Sequence, residues 1–377
     1  MLCKKLKAEN FRNIERAEVS FSPGVNLLVG DNAQGKTNLL EAIGYISLGK
    51  SFRGATEAEM IAFGHDSASV SLDFSDSLRD QNISVGIFSG KRRRFEQNGV
   101  KIYKMSDIVG AIRAVIFCPE HLSLIKSGPG ERRAWLDMAL CQSRPVYLQS
   151  LSRFNKLLKQ RNKLLKDAEK DRRTFDATVG IWSEGIAHES ALIGKFRYDY
   201  VNAASEHIAR FFSEMTGGGE IPTVTFSGSA KQEAEAFSDI EATEREYLRL
   251  LTSNTDREIA AGSTLYGAHK DDIKIDLNGR SARDFASQGQ QRSLALSMKL
   301  AEGELCRRDT GEYPVFLLDD VLSELDAKRK SYLVNEIKGK QVIMTGCDLS
   351  VKAENTVFVQ NGRYSDTGDT GAAWEPS

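Results

Sequence analysis

Apolar and polar residues alternate along much of the first hundred positions of the chain. The alternation is clearest at 68–74 and 83–87, as in strands with one buried face. Asn98-Gly99 between two short segments is the sequence of a tight hairpin turn. The apolar run 25–29 is followed by a glycine-rich loop and then by apolar residues at helical spacing, 39–46. This part of the chain therefore predicts an antiparallel sheet beside a strand–loop–helix unit.

Helical spacing takes over in the middle of the chain. Segments 146–173 and 183–215 carry apolar residues three and four apart with many charges between them, which predicts long helices. The glycines at 217–219 interrupt this pattern, and 221–226 has the composition of a single strand. The predicted domains are a discontinuous α/β domain, 1–118 and 263–377, and a mostly helical insertion, 119–262.

Strand patterns return in the last third of the chain. Alternation and an Asn-Gly turn at 273–279 are followed by four consecutive apolar residues at 315–318. Such an unbroken run is expected of a central parallel strand that is covered on both faces. Two similar runs follow at 342–344 and 357–359, and we expect the Gly-, Thr- and Ser-rich residues after Asn361 to be disordered.

Composition narrows the class of protein without deciding its partners. With 41% hydrophobic and 27% charged residues the chain is of ordinary globular type. It has no run of about 18 apolar residues, so we expect no membrane span. Five scattered cysteines without a CxxC pair fit a reducing cytoplasm and offer no zinc site. Because 51 basic residues balance 52 acidic ones, a nucleic acid would require the basic residues to be concentrated on one face.

The loop 30–37 carries the most specific motif of the chain. It reads GDNAQGKT and matches GxxxxGK[ST] in full, between a strand and a helix, which argues against a mere flexible turn. In this motif backbone N–H groups surround nucleotide phosphates, Lys36 reaches the β and γ phosphates, and Thr37 binds Mg²⁺. The predicted ligands are ATP and Mg²⁺, and the predicted binding residues are Gly30, Asp31, Asn32, Ala33, Gln34, Gly35, Lys36, Thr37 and Asn38.

Two aspartates follow the apolar run 315–318. Carboxylates at the end of a buried strand are costly unless a cation pairs with them, and Mg²⁺ is such a cation. We predict that Asp319 holds the metal, directly or through water, and that Asp320 orients and deprotonates the attacking water. Two acids in a solvated loop are the alternative interpretation.

The segment Ser287-Gln288-Gly289-Gln290-Gln291 resembles the signature motif of the ABC and SMC ATPases, usually written SGGQ. In those proteins the serine hydroxyl, the glycine N–H and a helix N-terminus bind the γ-phosphate of a nucleotide held by the opposite subunit. The pentapeptide alone is weak evidence. Its position before an apolar helix, which we expect to begin near Arg292, and upstream of the paired aspartates makes it strong. Residues 323–326 resemble the D-loop of the same proteins.

Further segments resemble the RecF family of bacterial replication and recombination repair ATPases. The resemblance covers most of the chain and is less clear in the helical insertion. The segments that carry it are Asn10–Asn13, Thr37–Ala42, Ser51–Arg53, Arg132-Arg133 before Leu136-Asp137, Gly267–Asp272, Ala286–Glu302 and Leu317–Asp326.

This resemblance implies a P-loop ATPase head of the ABC/SMC type with an antiparallel β subdomain and a compact, inserted helical arm. It implies an ATP-dependent homodimer in which Ser287, Gln288 and Gly289 of one chain meet the nucleotide of the other, with Arg12 and Asn13 near the nucleotide. Double-stranded DNA near single-strand gaps would be held across the dimer and released by slow, DNA-stimulated hydrolysis. RecR and RecO would be partners in recombinase loading.

The implied catalytic residues are Lys36 and Asp320. Asp320 differs from the residue found at this position in a related family. The ABC transporters have a glutamate where Asp320 stands, so we expect hydrolysis to be slow. They also have a histidine after the next strand, where this chain has Met344-Thr345-Gly346. Thr345 is a minor candidate for contact with the γ-phosphate. His269, beside Lys270-Asp271-Asp272, is interpreted as part of a structural turn, or as a DNA or interface contact, rather than as a catalytic base.

Two basic segments are candidates for DNA contact. Lys91, Arg92, Arg93 and Arg94 lie together on a predicted turn, where neutralising phosphates would release counterions. A solvated hairpin tip explains the same cluster equally well. The segment 153–173 holds nine basic residues against three acidic ones, and an exposed helix face is its alternative explanation.

Three other classes of protein share part of this pattern. The nucleotide-binding subunit of a transporter has the same motifs, but there the signature follows the phosphate loop much more closely than Gly289 follows Gly35. A structural adaptor that binds ATP without turnover is disfavoured by the pair Asp319-Asp320. A GTPase is disfavoured because no NKxD specificity motif occurs.

Overall fold

The structure, a computed structural model, describes residues 1–230, 233–347 and 352–366. It divides into two units, each described by itself below. The head unit comprises Met1–Leu122 and the residues from Glu302 onward, and the arm unit comprises Ser123–Ala301.

The strands of the two units are β1 Leu2–Phe11, β2 Ile14–Ser20, β3 Val25–Val29, β4 Ser67–Ser75, β5 Asp80–Phe88, β6 Arg94–Gln97, β7 Val100–Ile102, β8 Ala114–Phe117, β9 Pro222–Ser227, β10 Asp272–Leu277, β11 Arg280–Ser281, β12 Val315–Leu318, β13 Val342–Gly346, β14 Asn355–Gln360 and β15 Arg363–Asp366. The α-helices are α1 Lys36–Leu48, α2 Glu57–Met60, α3 Pro129–Ser143, α4 Pro145–Asp167, α5 Arg172–Thr216, α6 Ile240–Ser253, α7 Thr255–Ala261, α8 Ala282–Phe285, α9 Gln288–Thr310 and α10 Ala327–Glu336.

The predicted antiparallel sheet of the head unit is confirmed. Its six strands run in the order β2-β1-β4-β5-β6-β7, so the first two strands of the chain belong to it as well. Val70 pairs with Val85 and Leu72 with Ile83, which places the apolar side chains of neighbouring strands on one buried face. At the β6–β7 hairpin Asn98 has a φ of 53°, a left-handed conformation that asparagine tolerates and the predicted turn requires.

The second sheet of the head unit is mainly parallel and has the order β15-β14-β3-β13-β12-β8. Strand β12 lies between two parallel neighbours and all four of its residues are buried, as its unbroken apolar run predicts. Strand β13 separates β12 from β3, the strand that leads into the glycine-rich loop. The expectation of disorder after Asn361 is wrong for residues 363–366, because they pair with β14 as the edge strand β15; residues 367–377 lie outside the described part.

Helix α1 joins the two sheets of the head unit into one core. Ten of its thirteen residues are buried, so it shows no polar face of the kind that a surface helix has. Its leucines and isoleucines share a hydrophobic cluster with Leu72 of the antiparallel sheet and with Leu317 and Ile343 of the parallel sheet. Burial on both sides holds the N-terminus of α1, directly after the glycine-rich loop, in one place.

The arm unit is mostly helical, as predicted. Its longest helix, α5, spans 45 residues and packs against α4, α6 and strand β9. Its N-cap is Asp171, whose side chain accepts a bond from Thr174 N, and its C-cap is Gly217, where φ is 90°. A three-stranded antiparallel sheet in the order β11-β10-β9 completes the unit.

A network of buried polar groups centred on Arg197 connects the helices of the arm unit. The Arg197 guanidinium donates to Asp137 Oδ1 (2.8 Å), Asp271 Oδ2 (3.0 Å) and Tyr147 Oη (3.0 Å). Asp271 also accepts from Tyr247 Oη at 3.2 Å. These residues come from α3, α4, α5, α6 and the segment before β10, so one guanidinium links five separate parts of the unit.

The arm unit and the predicted helical insertion differ mainly in where they end along the chain. The insertion was predicted to end at 262, whereas the arm unit continues to Ala301. The physical reason is strand pairing, because β10 pairs with β9 along its length. No helix among the described residues has an apolar stretch long enough to cross a bilayer.

Candidate nucleotide site

The glycine-rich loop between β3 and α1 has the backbone of a phosphate-binding loop. Ala33 and Gly35 have φ values of 65° and 112°. A Cβ on Gly35 would stand 2.8 Å from Asn13 Oδ1, and a Cβ on Gly30 would stand 2.2 Å from Val359 O. Glycine is therefore required at both positions. No side chain caps the first turn of α1, which leaves the positive end of the helix available to an anion.

Lys36 is buried although no carboxylate in the described part of the chain pairs with it. Its ammonium donates to the carbonyl oxygen of Gly30 and to that of Asp31 (3.2 Å), so the side chain folds back over the loop. The Sγ atom of Cys347 lies 3.7 Å away. A buried cation held only by neutral oxygens is suited to a phosphate, which would supply the missing negative charge.

Thr37 and Asp319 come together at the predicted metal position. Thr37 Oγ1 donates to Asp319 Oδ1 at 2.8 Å, and Thr345 Oγ1 donates to the same oxygen at 3.1 Å. Burial raises the pKa of Asp319, and the two hydroxyls and the charge of Arg53 act in the opposite direction. A buried carboxylate beside a hydroxyl fits a hard cation, because Mg²⁺ is usually bound by one or two side chains together with substrate phosphates.

Asp320 adopts a strained backbone conformation, with a φ of 50°. Its N–H donates to Thr345 Oγ1 at 2.8 Å, which ties the residue to strand β13. The carboxyl side chain is exposed and lines the cavity. Non-glycine residues in this region of φ are held there by their surroundings, often at functional sites. Thr345 thus contacts both aspartates and takes a position that the sequence indicated only weakly.

These residues line one cavity of about 880 Å³ in the head unit. Its volume and its largely polar walls fit a nucleotide with its phosphates. Gly30, Asp31 and Gln34 of the predicted set belong to the same loop but are not among the residues that line the cavity. The residues that line the cavity are Arg12, Asn13, Glu15, Asn32, Ala33, Gly35, Lys36, Thr37, Asn38, Arg53, Glu59, Ile61, Ala62, Phe63, His65, Asp319, Asp320 and Thr345.

One wall of the cavity, formed by residues within 59–65, is a candidate functional element that sequence reasoning missed. Arg12 N donates to Met60 O and Ala62 N donates to Asn10 O, both at 2.8 Å, which fastens this wall to the end of β1. Phe63 in the same wall is fully exposed. An exposed aromatic ring beside a polar nucleotide-sized cavity is suited to contact with a base. No local signal marks Phe63, because the wall is formed by contacts between distant parts of the chain.

Glu41 is fully buried in α1 and holds two of the cavity's arginines. The Arg12 guanidinium pairs with it through two bonds, Nε to Oε2 at 2.9 Å and Nη2 to Oε1 at 2.8 Å. Arg53 Nη1 lies 3.7 Å from Glu41 Oε2, and Ser51 Oγ donates to Oε1. Arg12 Nη1 also donates to Glu59 O at 2.8 Å. Glu41 therefore positions Arg12 and Arg53; its one sequence signal is a charge within a continuous apolar helix.

The outer side of the loop is supported by the last two strands. Tyr364 Oη donates to Gly35 O (3.0 Å), and Gly362 N donates to Gln34 O (2.9 Å). Asn38 Nδ2 donates to Asn13 Oδ1 at 2.7 Å, which links the predicted residue Asn13 to the first turn of α1. These bonds keep the loop open towards the cavity.

The predicted signature residues lie on the surface of the arm unit. Helix α9 begins at Gln288, earlier than the predicted start near Arg292, so Gln288 and Gly289 are in its first turn. Gln290 N donates to Ser287 Oγ at 3.3 Å and Ser287 N donates to Gln290 Oε1 at 2.6 Å. This reciprocal pair is a capping box, and it fixes an exposed helix N-terminus that is suited to bind an anion.

The basic turn between β5 and β6 is formed as predicted. The four basic residues of this segment differ in their exposure and in their contacts. Arg93 is half-buried: it pairs with Glu57 (2.7 Å) and donates to Tyr45 Oη and Gly49 O, both at 3.0 Å. Arg94 lies over the ring of Phe88. Lys91 and Arg92 are exposed. Arg93 thus holds the turn against α1, and a role of the cluster in DNA binding stays a prediction.

Two of the segments that resemble the RecF family meet inside the arm unit and are structural. Arg132 pairs with Asp272 through two bonds (2.6 and 2.8 Å), and Arg133 Nη1 donates to Asp271 O (2.8 Å). His269 is largely buried, with Nε2 3.0 Å from Thr264 O and with no hydrogen-bond partner for Nδ1 among the residues that the structure describes. Burial lowers its pKa to about 4, which agrees with its interpretation as part of a structural turn.

The fold and the site together define an ATPase head of the SMC type. A profile of the RecF/RecN/SMC N terminal domain matches residues 2–360. An Smc head bound to the C-winged helix domain of ScpA superimposes with a TM-score of 0.58 over 97% of both chains at 15% identity, which shows the fold alone.

The particular family follows from closer relatives. The DNA replication and repair protein RecF of Lachnoclostridium phytofermentans is 37% identical over 357 residues, 95% of this chain and 96% of its own length. A solved structure of the recombination mediator protein RecF-ATP in the RecFOR pathway matches with a TM-score of 0.90 and 33% identity over 97% of both chains. The chain belongs to the RecF family of DNA replication and repair proteins.

Proposed function

We propose that the chain is an ATP-dependent DNA-binding protein of recombinational repair that hydrolyses ATP slowly. The observation that carries this proposal is the cavity in which Lys36, Thr37, Asp319 and Asp320 converge. It combines a buried cation for phosphates, a hydroxyl–carboxylate pair for Mg²⁺ and a free carboxylate for water. The relative described as RecF-ATP supports ATP as the nucleotide.

Each residue of the cavity has a distinct task in this proposal. Lys36 leaves the loop carbonyls to bind the β and γ phosphates, and the N–H groups of α1 bind beside it. Thr37 and Asp319 would hold Mg²⁺, which would neutralise negative charge on the phosphates. Asp320 accepts the proton of the attacking water at its exposed carboxylate, and Thr345 holds the backbone N–H of the same residue.

The ATP-bound form is proposed to be a head-to-head homodimer. Ser287 and Gly289 stand at an exposed helix N-terminus of the arm unit, which can receive the γ-phosphate of a nucleotide held by another chain. ATP then links two chains, and the free energy of ATP binding stabilises the dimer. Sedimentation velocity of Lys36→Arg tests this, since unchanged ATP-dependent dimers in that variant would contradict the scheme.

The substrate of the dimer is proposed to be double-stranded DNA next to single-strand gaps, in the cytoplasm. Support comes from relatives named DNA replication and repair proteins and from the exposed Lys91 and Arg92. RecO and RecR are proposed as partners because a relative is described as part of the RecFOR pathway. Hydrolysis would loosen the dimer and release the DNA.

The test is a fluorescence-anisotropy titration of an Asp320→Asn variant, which is designed to retain ATP. Duplex, single-stranded and gapped DNA are compared with and without ATP, and Lys36→Met/Asp320→Asn is the matched control that lacks the phosphate contact. We expect tight binding to duplex-containing DNA only with ATP, and only in the single variant. Binding that is indifferent to ATP in both variants would remove DNA as the regulated ligand.

A further inference from the structure

The outer face of helix α4 carries a row of lysines with no acidic residue among them. Four exposed lysines, Lys156, Lys159, Lys163 and Lys166, are spaced three, four and three residues apart. At 3.6 residues per turn this spacing keeps them within about 80° of one another around the helix axis. We call these four residues the lysine stripe.

The opposite face of α4 is the one that packs in the arm unit. Its buried residues are Tyr147, Ser150, Phe154, Arg161 and Leu165. Arg161 shows what a basic residue does on that side, because its guanidinium is fully buried and pairs with the buried Glu258 at 2.6 Å. The stripe therefore does not serve the packing of the helix.

The charge of the stripe is not balanced within the described part of the chain. No acidic residue occurs between 145 and 166, and Asp167 at the end of the helix is the first. None of the four lysines forms an ion pair with a described carboxylate, whereas the neighbouring Arg153 pairs with Glu189. Four like charges along one helix face repel each other, so the free chain retains them at a cost to its stability.

The spacing and the chemistry of the stripe fit a nucleic acid backbone. Its ten-residue span covers about 15 Å, the axial length occupied by about four phosphates of one DNA strand. The exposed positions beside the lysines are polar, Asn155 just before the stripe and Gln160 within it, and no exposed large apolar side chain lies between the lysines. The cores of protein–protein interfaces are depleted in lysine and rich in aromatic residues, so an acidic protein surface is the poorer match.

We propose that the lysine stripe of α4 is a second DNA-contact surface, which binds the phosphate backbone of duplex DNA without reading its sequence. The proposal rests on the proposed ATP-dependent DNA binding and adds the helical arm to it. Lysine is a point charge without the planar fork that reads bases, so it contributes affinity and position rather than specificity.

The test is the salt dependence of duplex binding in the Asp320→Asn background with ATP, from about 50 to about 200 mM salt. The variant Lys159→Gln/Lys163→Gln/Lys166→Gln should reduce the slope of log K against log salt by about 3, and Lys163→Gln alone by about 1. Replacing the same three lysines with arginine should retain the slope. The loss of affinity should be equal for duplexes of different sequence.

The matched control is Lys195→Gln/Arg245→Gln/Arg249→Gln, which removes the same charge from arm residues that already pair with acids. It should leave the slope within about half a unit of the parent value, because its charges are already balanced. An equal fall in slope in both triple variants would show an effect of net charge and overturn the stripe. An unchanged slope in the stripe variant, with ATP-dependent binding intact, overturns only this inference. A parent protein that binds no duplex overturns the proposed function and the stripe together.

Discussion

The head unit and the arm unit both bury charged side chains, but the two regions satisfy them differently. In the arm, the guanidinium of Arg197 contacts Tyr147 and two aspartates, Asp137 and Asp271. Arg161 pairs with Glu258, so both of these buried guanidinium groups have an opposite charge inside the protein. In the head, Lys36 meets two carbonyl oxygens and a thiol, and Asp319 meets hydroxyls beside an open cavity.

This difference separates charges that hold the fold from charges that await a ligand. A buried charge costs several kcal/mol of desolvation free energy unless it is paired. In the arm network, ion pairs within the folded chain offset this penalty. The cavity of the head lacks that compensation until phosphate and Mg²⁺ enter. Folding energy and binding energy should therefore respond to opposite sets of mutations.

The largest effect is expected for Arg197→Met. The substitution leaves the buried Asp271 and the partly buried Asp137 without their cation, so the free energy of unfolding should fall by about 3–5 kcal/mol. Urea denaturation measures it. ATP affinity of the remaining folded protein should be unchanged. A loss below about 1 kcal/mol would show that the network is not structural in this sense.

A decrease of similar size in the free energy of unfolding is expected on acidification, because of His269. Because its pKa is lowered to about 4 in the folded protein, the unfolded chain takes up a proton first as pH falls below about 6.5. Stability is thus complete above pH 6.5 and declines towards pH 4, by about 3 kcal/mol from this group. His269→Gln should flatten the decline in urea denaturation series at several pH values, and parallel curves for the two proteins would refute this assignment.

The head unit provides the converse case in Lys36→Met. Removing a buried ammonium that lacks a carboxylate should leave the free energy of unfolding within about 1 kcal/mol of the parent or raise it. ATP affinity should fall roughly 100-fold, since the phosphates lose a charge-assisted partner. Calorimetric titration and urea denaturation measure the two quantities. A large loss of stability with ATP affinity retained would reverse the comparison.

The smallest effect is expected for Glu41→Gln. Glu41 combines features of the buried charges of the arm and of the charges at the cavity. Glu41 is paired inside the protein, but its partners Arg12 and Arg53 line the cavity. We expect KM for ATP to rise about tenfold, because the two arginines lose the carboxylate that positions them. We expect kcat to stay nearly unchanged, because the contacts of the catalytic aspartates are not altered. Glu41→Asp should restore part of the affinity. Equal losses in KM and kcat would indicate a general disturbance of the head.

Local patterns predicted most of the elements because their periods are short. The alternation in β4 and β5, the hairpin at Asn98 and the apolar run of β12 each depend on a few adjacent residues. Residues 363–366 were assigned wrongly for the same reason, since their order comes from pairing with β14 and not from their own composition.

The sequence by itself determined the phosphate loop, the paired aspartates and the RecF resemblance, because contiguous residues carry those motifs. Only the tertiary structure placed Thr37 against Asp319, 282 residues away, and brought Thr345 to both aspartates. It also showed that Glu41 organises Arg12 and Arg53 and that Arg197 unites the arm. Such contacts depend on the order of strands in a sheet and the packing of helices, and a one-dimensional pattern of apolar residues leaves that order open.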